Sequence, residues 1–276
     1  MKGFKTTIQA LAGFFLSAAA AAAASTWFYP DGNDTLWKAG IFRLNVTGVG
    51  TGFSLLALLA FANVWIAHTT KMDRKKTYAG TILNGFGFGF FPAAAIFKIF
   101  EQVTVPGRGI AVPEKIPELH WLTHNGYYMP SRIEFLLAVL SFIAVILWLS
   151  VRREPLPENG DLLGVCLSIW GGIRLMTEPF RESQLPAFGE IRFSGIAAGC
   201  TMLICLAFWV ARAVNEKKNA GYAFACIPVF IAGCAVVLLQ ARQIISTGNP
   251  AAEMAVSSAC ALLAIKACLC MGRVSR

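Results

Sequence analysis

Long apolar runs, separated by short polar segments, recur along the whole chain. Each run has roughly the 20 residues that a helix needs to cross the hydrocarbon core of a bilayer. Charged residues make up only 14% of the sequence, whereas a soluble domain needs roughly a quarter to cover its surface. The sequence therefore predicts an all-α, polytopic integral membrane protein with about eight spans, and it argues against a soluble helical bundle. The predicted spans are 7–29, 46–67, 78–101, 133–151, 161–178, 193–212, 220–241 and 251–271.

The first apolar run has two interpretations. It is rich in alanine, it follows Lys2 and Lys5, and it ends in small residues that suit a signal peptidase. A retained helix gives eight spans, whereas a cleaved signal leaves seven. The run is longer than the apolar part of a usual signal peptide, which favours retention.

The basic residues indicate how the chain is oriented. Alternate loops and the C-terminus are rich in lysine and arginine, and the positive-inside rule places such segments in the cytoplasm. Both termini are therefore predicted to be cytoplasmic. The formal net charge of +9 then reflects topology and contact with anionic lipid, with no nucleic acid as partner. The segments predicted to face outside are 30–45, 102–132, 179–192 and 242–250.

Cysteines and histidines give no sign of a metal or disulfide site. All eight cysteines fall inside predicted spans, where a free cysteine behaves as a small apolar residue. His68, His120 and His124 lack the spacing of metal ligands on any one helix. We predict no metal and no cofactor.

A cluster of charges at the outer end of span 161–178 carries most of the chemical information. Arg174 and Glu178 are four residues apart, and Arg181 follows seven residues after Arg174, so a helix would place all three on one face. Charges at that depth are unfavourable unless they are paired or face a polar cavity. Pro179 should end or kink the helix there.

Two interpretations of this cluster stand side by side. In the first, Arg174 extends to the membrane surface, Glu178 neutralises it and Arg181 anchors the helix end. In the second, the cluster is a pocket for a phospholipid headgroup, because a guanidinium can hold a phosphate through two hydrogen bonds.

Residues 160–184, GDLLGVCLSIWGGIRLMTEPFRESQ, resemble the penultimate helix of bacterial prolipoprotein diacylglyceryl transferases, which has the pattern GxxRxxxExxR. Residues 129–153 and 189–213 resemble the helices before and after it. The resemblance implies a transferase in the bacterial cell membrane. It would move a diacylglyceryl group from phosphatidylglycerol to the lipobox cysteine thiol of a secreted precursor, without a cofactor.

Two motifs of that family are absent. A His-Gly-Gly motif would fall at NVTGVGTGF, residues 45–53, which keeps small residues but has no histidine. A Gly-Arg-Leu-Gly-Asn motif would fall within residues 84–102, where Lys98 offers the positive charge and Gly85, Gly87 and Gly89 suit helix packing equally well.

The resemblance and the charges together suggest residue roles. Arg174 and Arg181 would stabilise the leaving phosphate, Glu178 would position the substrate, and a loop histidine, His124 or His120, would accept the thiol proton. Ordinary surface histidines and neutralised helix ends are the alternatives. Further candidate substrate-binding residues are Arg132, Glu134 and Arg192.

The predicted organisation is one membrane domain, 1–276. It contains transferase-like helices over 129–213, an extracytoplasmic arm over 102–132 and additional C-terminal helices over 220–271 that have no counterpart in the family. One alternative function is a non-catalytic relative that binds anionic phospholipid or a lipoprotein precursor, which the missing motifs favour. Another is a small transporter, suggested by helices broken at glycine and proline.

Overall fold

The computed structural model describes residues 2–28, 35–40, 42–72, 78–103, 109, 111, 123–151, 160–181, 187–188, 191–215, 220–241 and 250–274. Over those ranges eight α-helices form. They are α1 Lys2–Ala23, α2 Val46–Met72, α3 Tyr78–Glu101, α4 Pro130–Val151, α5 Asp161–Thr177, α6 Phe193–Asn215, α7 Ala220–Ala241 and α8 Pro250–Val274.

Short irregular elements and hairpins join these helices. A π-helical turn, Ala24–Phe28, follows α1, and a 3₁₀ turn, Glu178–Phe180, follows α5. The strands pair two by two and antiparallel, each with its neighbour in the chain. They are β1 Thr35–Ala39 with β2 Phe42–Asn45, β3 Thr123–His124 with β4 Tyr127–Tyr128, and β5 Ala187–Phe188 with β6 Ile191–Arg192.

The predicted fold class is confirmed: this is an all-α, multi-pass membrane protein. Each predicted span coincides with one α-helix. Four segments of the described chain are long and apolar enough to cross a bilayer, and shorter apolar stretches lie in other helices. The four are Val46–Thr69, Ala79–Glu101, Pro130–Val151 and Gly195–Asn215. The shorter stretches are Leu11–Thr26, Ala225–Val237 and Ala255–Cys270.

The chain forms two compact units, Met1–Gly160 with α1 to α4 and Asp161–Arg276 with α5 to α8. The boundary falls inside the segment 129–213 that resembles the transferase helices. It assigns α4 to the first unit and α5 and α6 to the second.

Glycines bring the helices of the first unit together. A Cβ atom on Gly89 of α3 would lie 2.6 Å from the carbonyl oxygen of Leu58 in α2, and one on Gly52 would lie 2.8 Å from that of Ser17 in α1. A Cβ on Gly85 would lie 3.1 Å from the carbonyl oxygen of Ala62. Such close backbone approach is what small residues permit between membrane helices. The packing interpretation of Gly85 and Gly89 is therefore supported.

The start of α2 is fixed by an N-cap. The side-chain oxygen of Asn45 accepts a hydrogen bond from the backbone N–H of Gly48 at 2.7 Å, as an N-cap residue does. The N–H of Asn45 donates to the hydroxyl of Ser25 at 3.1 Å, and that hydroxyl donates to the carbonyl of Ala21 at 2.8 Å. The hydrogen bonds of Asn45 and Ser25 therefore join the start of α2 to the end of α1.

Candidate functional site

The α-helix that carries Arg174 ends close to Pro179, as predicted. The last α-helical residue is Thr177, whose hydroxyl donates to the carbonyls of Ile173 at 3.2 Å and Arg174 at 3.3 Å. The 3₁₀ turn that contains Pro179 follows. Because proline lacks an N–H, it cannot continue the helical hydrogen-bond ladder.

Arg181 leaves the helix altogether. Its backbone is extended, with φ −86° and ψ 138°, and its N–H donates to the carbonyl of Glu178 at 3.3 Å. The single α-helical face predicted for Arg174, Glu178 and Arg181 was therefore wrong in geometry, since the α-helix ends before the second and third residues. The 3₁₀ turn and the extended residue that follows it do not keep the α-helical spacing of side chains.

The three charged residues differ in access to a ligand. Arg174 is half-buried, whereas Glu178 is 2% exposed and Arg181 is 7% exposed. Glu178 packs against α6, because a Cβ atom on Gly195 would lie 3.2 Å from its Cγ. Of the three, Arg174 is therefore the group most open to a lipid headgroup, and Glu178 and Arg181 are enclosed.

Contacts at both ends of α5 hold this region in place. Near the Arg174 end, a Cβ atom on Gly171 would overlap the side chain of Met202 in α6 and lie 3.1 Å from the carbonyl oxygen of Ala198. At the other end, Arg212 of α6 donates to Asp161, with 3.1 Å and 3.3 Å between its Nη1 and the two carboxylate oxygens. These contacts fix α5 against α6 along its length.

A second polar cluster lies inside the first unit. The ammonium of Lys98 is paired with Glu101 on its own helix, α3, and its Nζ lies 2.6 Å from Oε2 of Glu134 on α4. The side chains are enclosed, with 2% of Lys98 and none of Glu134 exposed. Phe97 lies beside the ammonium, with its ring centroid 5.4 Å from Nζ. This Lys98–Glu101–Glu134 cluster ties α3 to α4.

The sequence pattern did not reveal that Lys98 pairs with both Glu101 and Glu134. It indicated Lys98 only as a positive charge in place of an arginine. The available signal was the spacing of Lys98 and Glu101, three residues apart in an otherwise apolar helix, because unpaired charges at such places are unfavourable.

The loop before α4 places His124 on a small hairpin. The turn residues Asn125 and Gly126 have positive φ angles of 50° and 78°, as tight hairpin turns require. His124 is exposed on this hairpin. A guanidinium nitrogen of Arg132 donates to the carbonyl of Thr123 at 3.4 Å. Arg132, in the first turn of α4, thereby holds β3, the strand that contains His124.

The predicted site residues thus form two groups. His124, Arg132 and Glu134 belong to the first unit, and Arg174, Glu178, Arg181 and Arg192 belong to the second. Arg192 ends β6. His120 lies outside the described residues. Over the part of the chain that the structure describes, no three histidine, cysteine or acidic side chains are grouped as metal ligands would be.

Comparison with known proteins gives one informative similarity. No family model matches the chain, and no solved structure matches it. The chain is similar to a phosphatidylglycerol–prolipoprotein diacylglyceryl transferase of Desulfotalea psychrophila (strain LSv54 / DSM 12343), with 28% identity over 152 residues. The match covers 52% of each protein, so the chain spans about half the length of this curated relative. This similarity supports a divergent relationship to that transferase family.

Proposed function

We propose that this protein is a divergent membrane transferase that moves a diacylglyceryl group from phosphatidylglycerol to the lipobox cysteine thiol of a secreted precursor. The observation that carries the proposal is that Arg174, at the end of α5, is half-buried and lies one turn before the enclosed Glu178. The similarity to a transferase of this kind supports the substrate class.

The proposed reaction is a displacement at the glyceryl carbon that bears the phosphate ester. The cysteine sulfur forms a bond to this carbon as the bond from carbon to phosphate oxygen breaks, and glycerol phosphate leaves. Arg174 would stabilise the negative charge of that leaving group directly, and the enclosed Arg181, which follows the end of α5, would add positive charge. Glu178 would fix the direction of the guanidinium, and Arg132 and Arg192 would help to hold the substrates. Glu134 is left out of this role, because its side chain is enclosed beside Lys98.

The thiol must lose its proton, because the thiolate is the nucleophile. We assign this step to His124, whose imidazole is exposed on the β3–β4 hairpin and can accept a proton near neutral pH. In the proposed topology, with both termini in the cytoplasm of a bacterial cell, this hairpin and the C-terminal end of α5 face the extracytoplasmic side. That is the side on which a secreted precursor would present its cysteine.

The test is expression of the full chain in bacteria depleted of their own transferase. Mass spectrometry of a reporter prolipoprotein should show the added diacylglyceryl group. His124→Ala should abolish it, whereas His68→Ala, which changes an exposed histidine on α2, should leave it unchanged. Absence of modified prolipoprotein with normal levels of the unchanged protein would refute catalysis.

The second candidate function is a non-catalytic lipid-binding relative. Two observations favour it: Glu134 is enclosed with Lys98, and the segment that replaces the His-Gly-Gly motif packs α2 against α1 through Gly52. Phosphatidylglycerol that co-purifies with the protein, without turnover in the depletion strain, is its expected signature.

A further inference from the structure

Two neighbouring glycines near the C-terminal end of α5 contact two different helices. Gly171 faces α6, where an added Cβ atom would overlap the side chain of Met202. Gly172 faces α8, where an added Cβ atom would overlap Cγ1 and Cδ1 of Ile265 and lie 3.5 Å from the carbonyl oxygen of Ala261. Glycine permits this close approach because it has no side chain. This part of α5 is therefore enclosed between α6 and α8.

Helix α8 is itself fixed by contacts with α6 and α7. The thiol of Cys268, which is fully buried, donates a weak hydrogen bond to the carbonyl of Met202 on α6, with 3.8 Å between sulfur and oxygen. A Cβ atom on Gly233 of α7 would lie 2.7 Å from the carbonyl oxygen of Cys260 in α8. These contacts leave α8 little room to move when an atom is added on α5.

Arg174 lies on the side of α5 that faces away from α8. At 3.6 residues per turn, two residues rotate the direction of a side chain by roughly 200°, so Arg174 points almost opposite to Gly172. Both residues precede Thr177, the last residue of the α-helix. Helix α8, which the sequence predicts to be an addition to the transferase-like part of the chain, therefore packs behind the half-buried Arg174.

We infer that α8 positions Arg174. Through its contact with Gly172, Ile265 sets the place of the last turn of α5, and with it the place of the guanidinium that binds the lipid phosphate. Gly172 and Ile265 are positioning residues, because they act through Arg174. The inference rests on the headgroup site proposed above, and it gives a role to α8, to which the proposed function assigns none.

The experiment measures the affinity of the full-length protein in detergent for phosphatidylglycerol by native mass spectrometry. Gly172→Ala should weaken binding by roughly tenfold, about the loss of one charge-assisted hydrogen bond. Gly172→Ala combined with Ile265→Ala should restore most of the affinity, because the second change removes both carbon atoms that the new methyl group overlaps. If Gly172→Ala yields too little folded protein, Ile265→Ala by itself takes its place, with the same expected loss.

A control and a double-mutant cycle separate positioning from stability. Gly164→Ala is the control, because its Cβ atom would lie 2.9 Å from the indole of Trp209 on α6 but roughly 15 Å along α5 from Arg174. It should lower thermal stability and leave the affinity unchanged. In protein that already carries Arg174→Ala, Gly172→Ala should cause no further loss of affinity, because the positioned group is absent.

The other results distinguish the inference from the site on which it rests. If Arg174→Ala weakens binding and Gly172→Ala does not, the headgroup site stands and the positioning role of α8 is refuted. An equal loss from Gly172→Ala with and without Arg174, or no recovery in the combined variant with Ile265→Ala, would also refute that role. If Arg174→Ala binds lipid as the unchanged protein does, the headgroup site itself is refuted, and the inference with it.

Discussion

A lysine between two glutamates, enclosed among apolar helices, is the least expected side-chain arrangement in this protein. Transfer of each charge out of water is unfavourable, and only close pairing offsets that penalty. Lys98 achieves the pairing with one neighbour on its own helix and one on the next. Removal of Lys98 would leave Glu101 and Glu134 enclosed without this cation.

Lys98→Met should destabilise the protein by about 3–5 kcal/mol, because two enclosed carboxylates would lose their counter-charge. The combined variant Lys98→Met, Glu101→Leu and Glu134→Leu should recover most of that loss, since an apolar replacement of a buried ion cluster is often neutral. Thermal unfolding in detergent, followed by size-exclusion chromatography, measures both. A single variant as stable as the unchanged protein would contradict this account.

The proposed headgroup site predicts how substitutions of Arg174 change the binding of phosphatidylglycerol. Because Arg174 is only half-buried, Arg174→Ala should weaken binding of phosphatidylglycerol more than it lowers the amount of folded protein. Arg174→Lys should restore binding only in part, because an ammonium lacks the planar pair of donors. Native mass spectrometry of bound lipid gives the comparison. Equal lipid binding by Arg174→Ala and the unchanged protein would remove Arg174 from the site.

At the scale of the helices, the directions of the charged side chains of Glu178 and Arg181 depend on where α5 ends. The sequence indicated an end near Pro179, because proline has no N–H, and the structure agrees. The local 3₁₀ turn and the extended backbone of Arg181 could not be read from residue spacing. Spacing rules assume an unbroken helix, and one turn of different geometry changes every direction after it.

Glycines on the contact face of α5 should tolerate no added side chain. Gly171→Ala should destabilise the protein by about 1–3 kcal/mol, because its Cβ would overlap Met202 and crowd the backbone of Ala198. Gly199→Ala on α6 is the matched control, since nothing lies within 4 Å of its Cβ position. Thermal unfolding in one detergent compares them. Equal effects of the two substitutions would show that α5 is not tightly packed at Gly171.

At the scale of the whole chain, the alternation of basic and other loops implies a definite path through the membrane. Four helical segments satisfy the length and composition of a span by themselves, and the other helices coincide with the remaining predicted spans. Their order fixes which ends of the helices share one side of the bilayer.

Reporter fusions test that path. Alkaline phosphatase joined after residue 103 or 241 should be active, because these points are predicted to lie outside. The same reporter joined after residue 72, 151 or 215 should be inactive, and a fluorescent protein there should be bright. Activity after residue 72 and none after residue 103 would reverse the orientation and place Arg174 on the cytoplasmic side.

The positions of the helices follow from the sequence alone, because a segment that crosses lipid must satisfy its backbone hydrogen bonds within itself. Apolar length is therefore enough to locate such a segment. Tertiary structure alone decided that Glu134 pairs with Lys98, that Gly195 lies against Glu178, and that Arg174 keeps the most exposure of its group. Those contacts join residues on different helices, and they depend on how closely the helices approach, which no local pattern specifies.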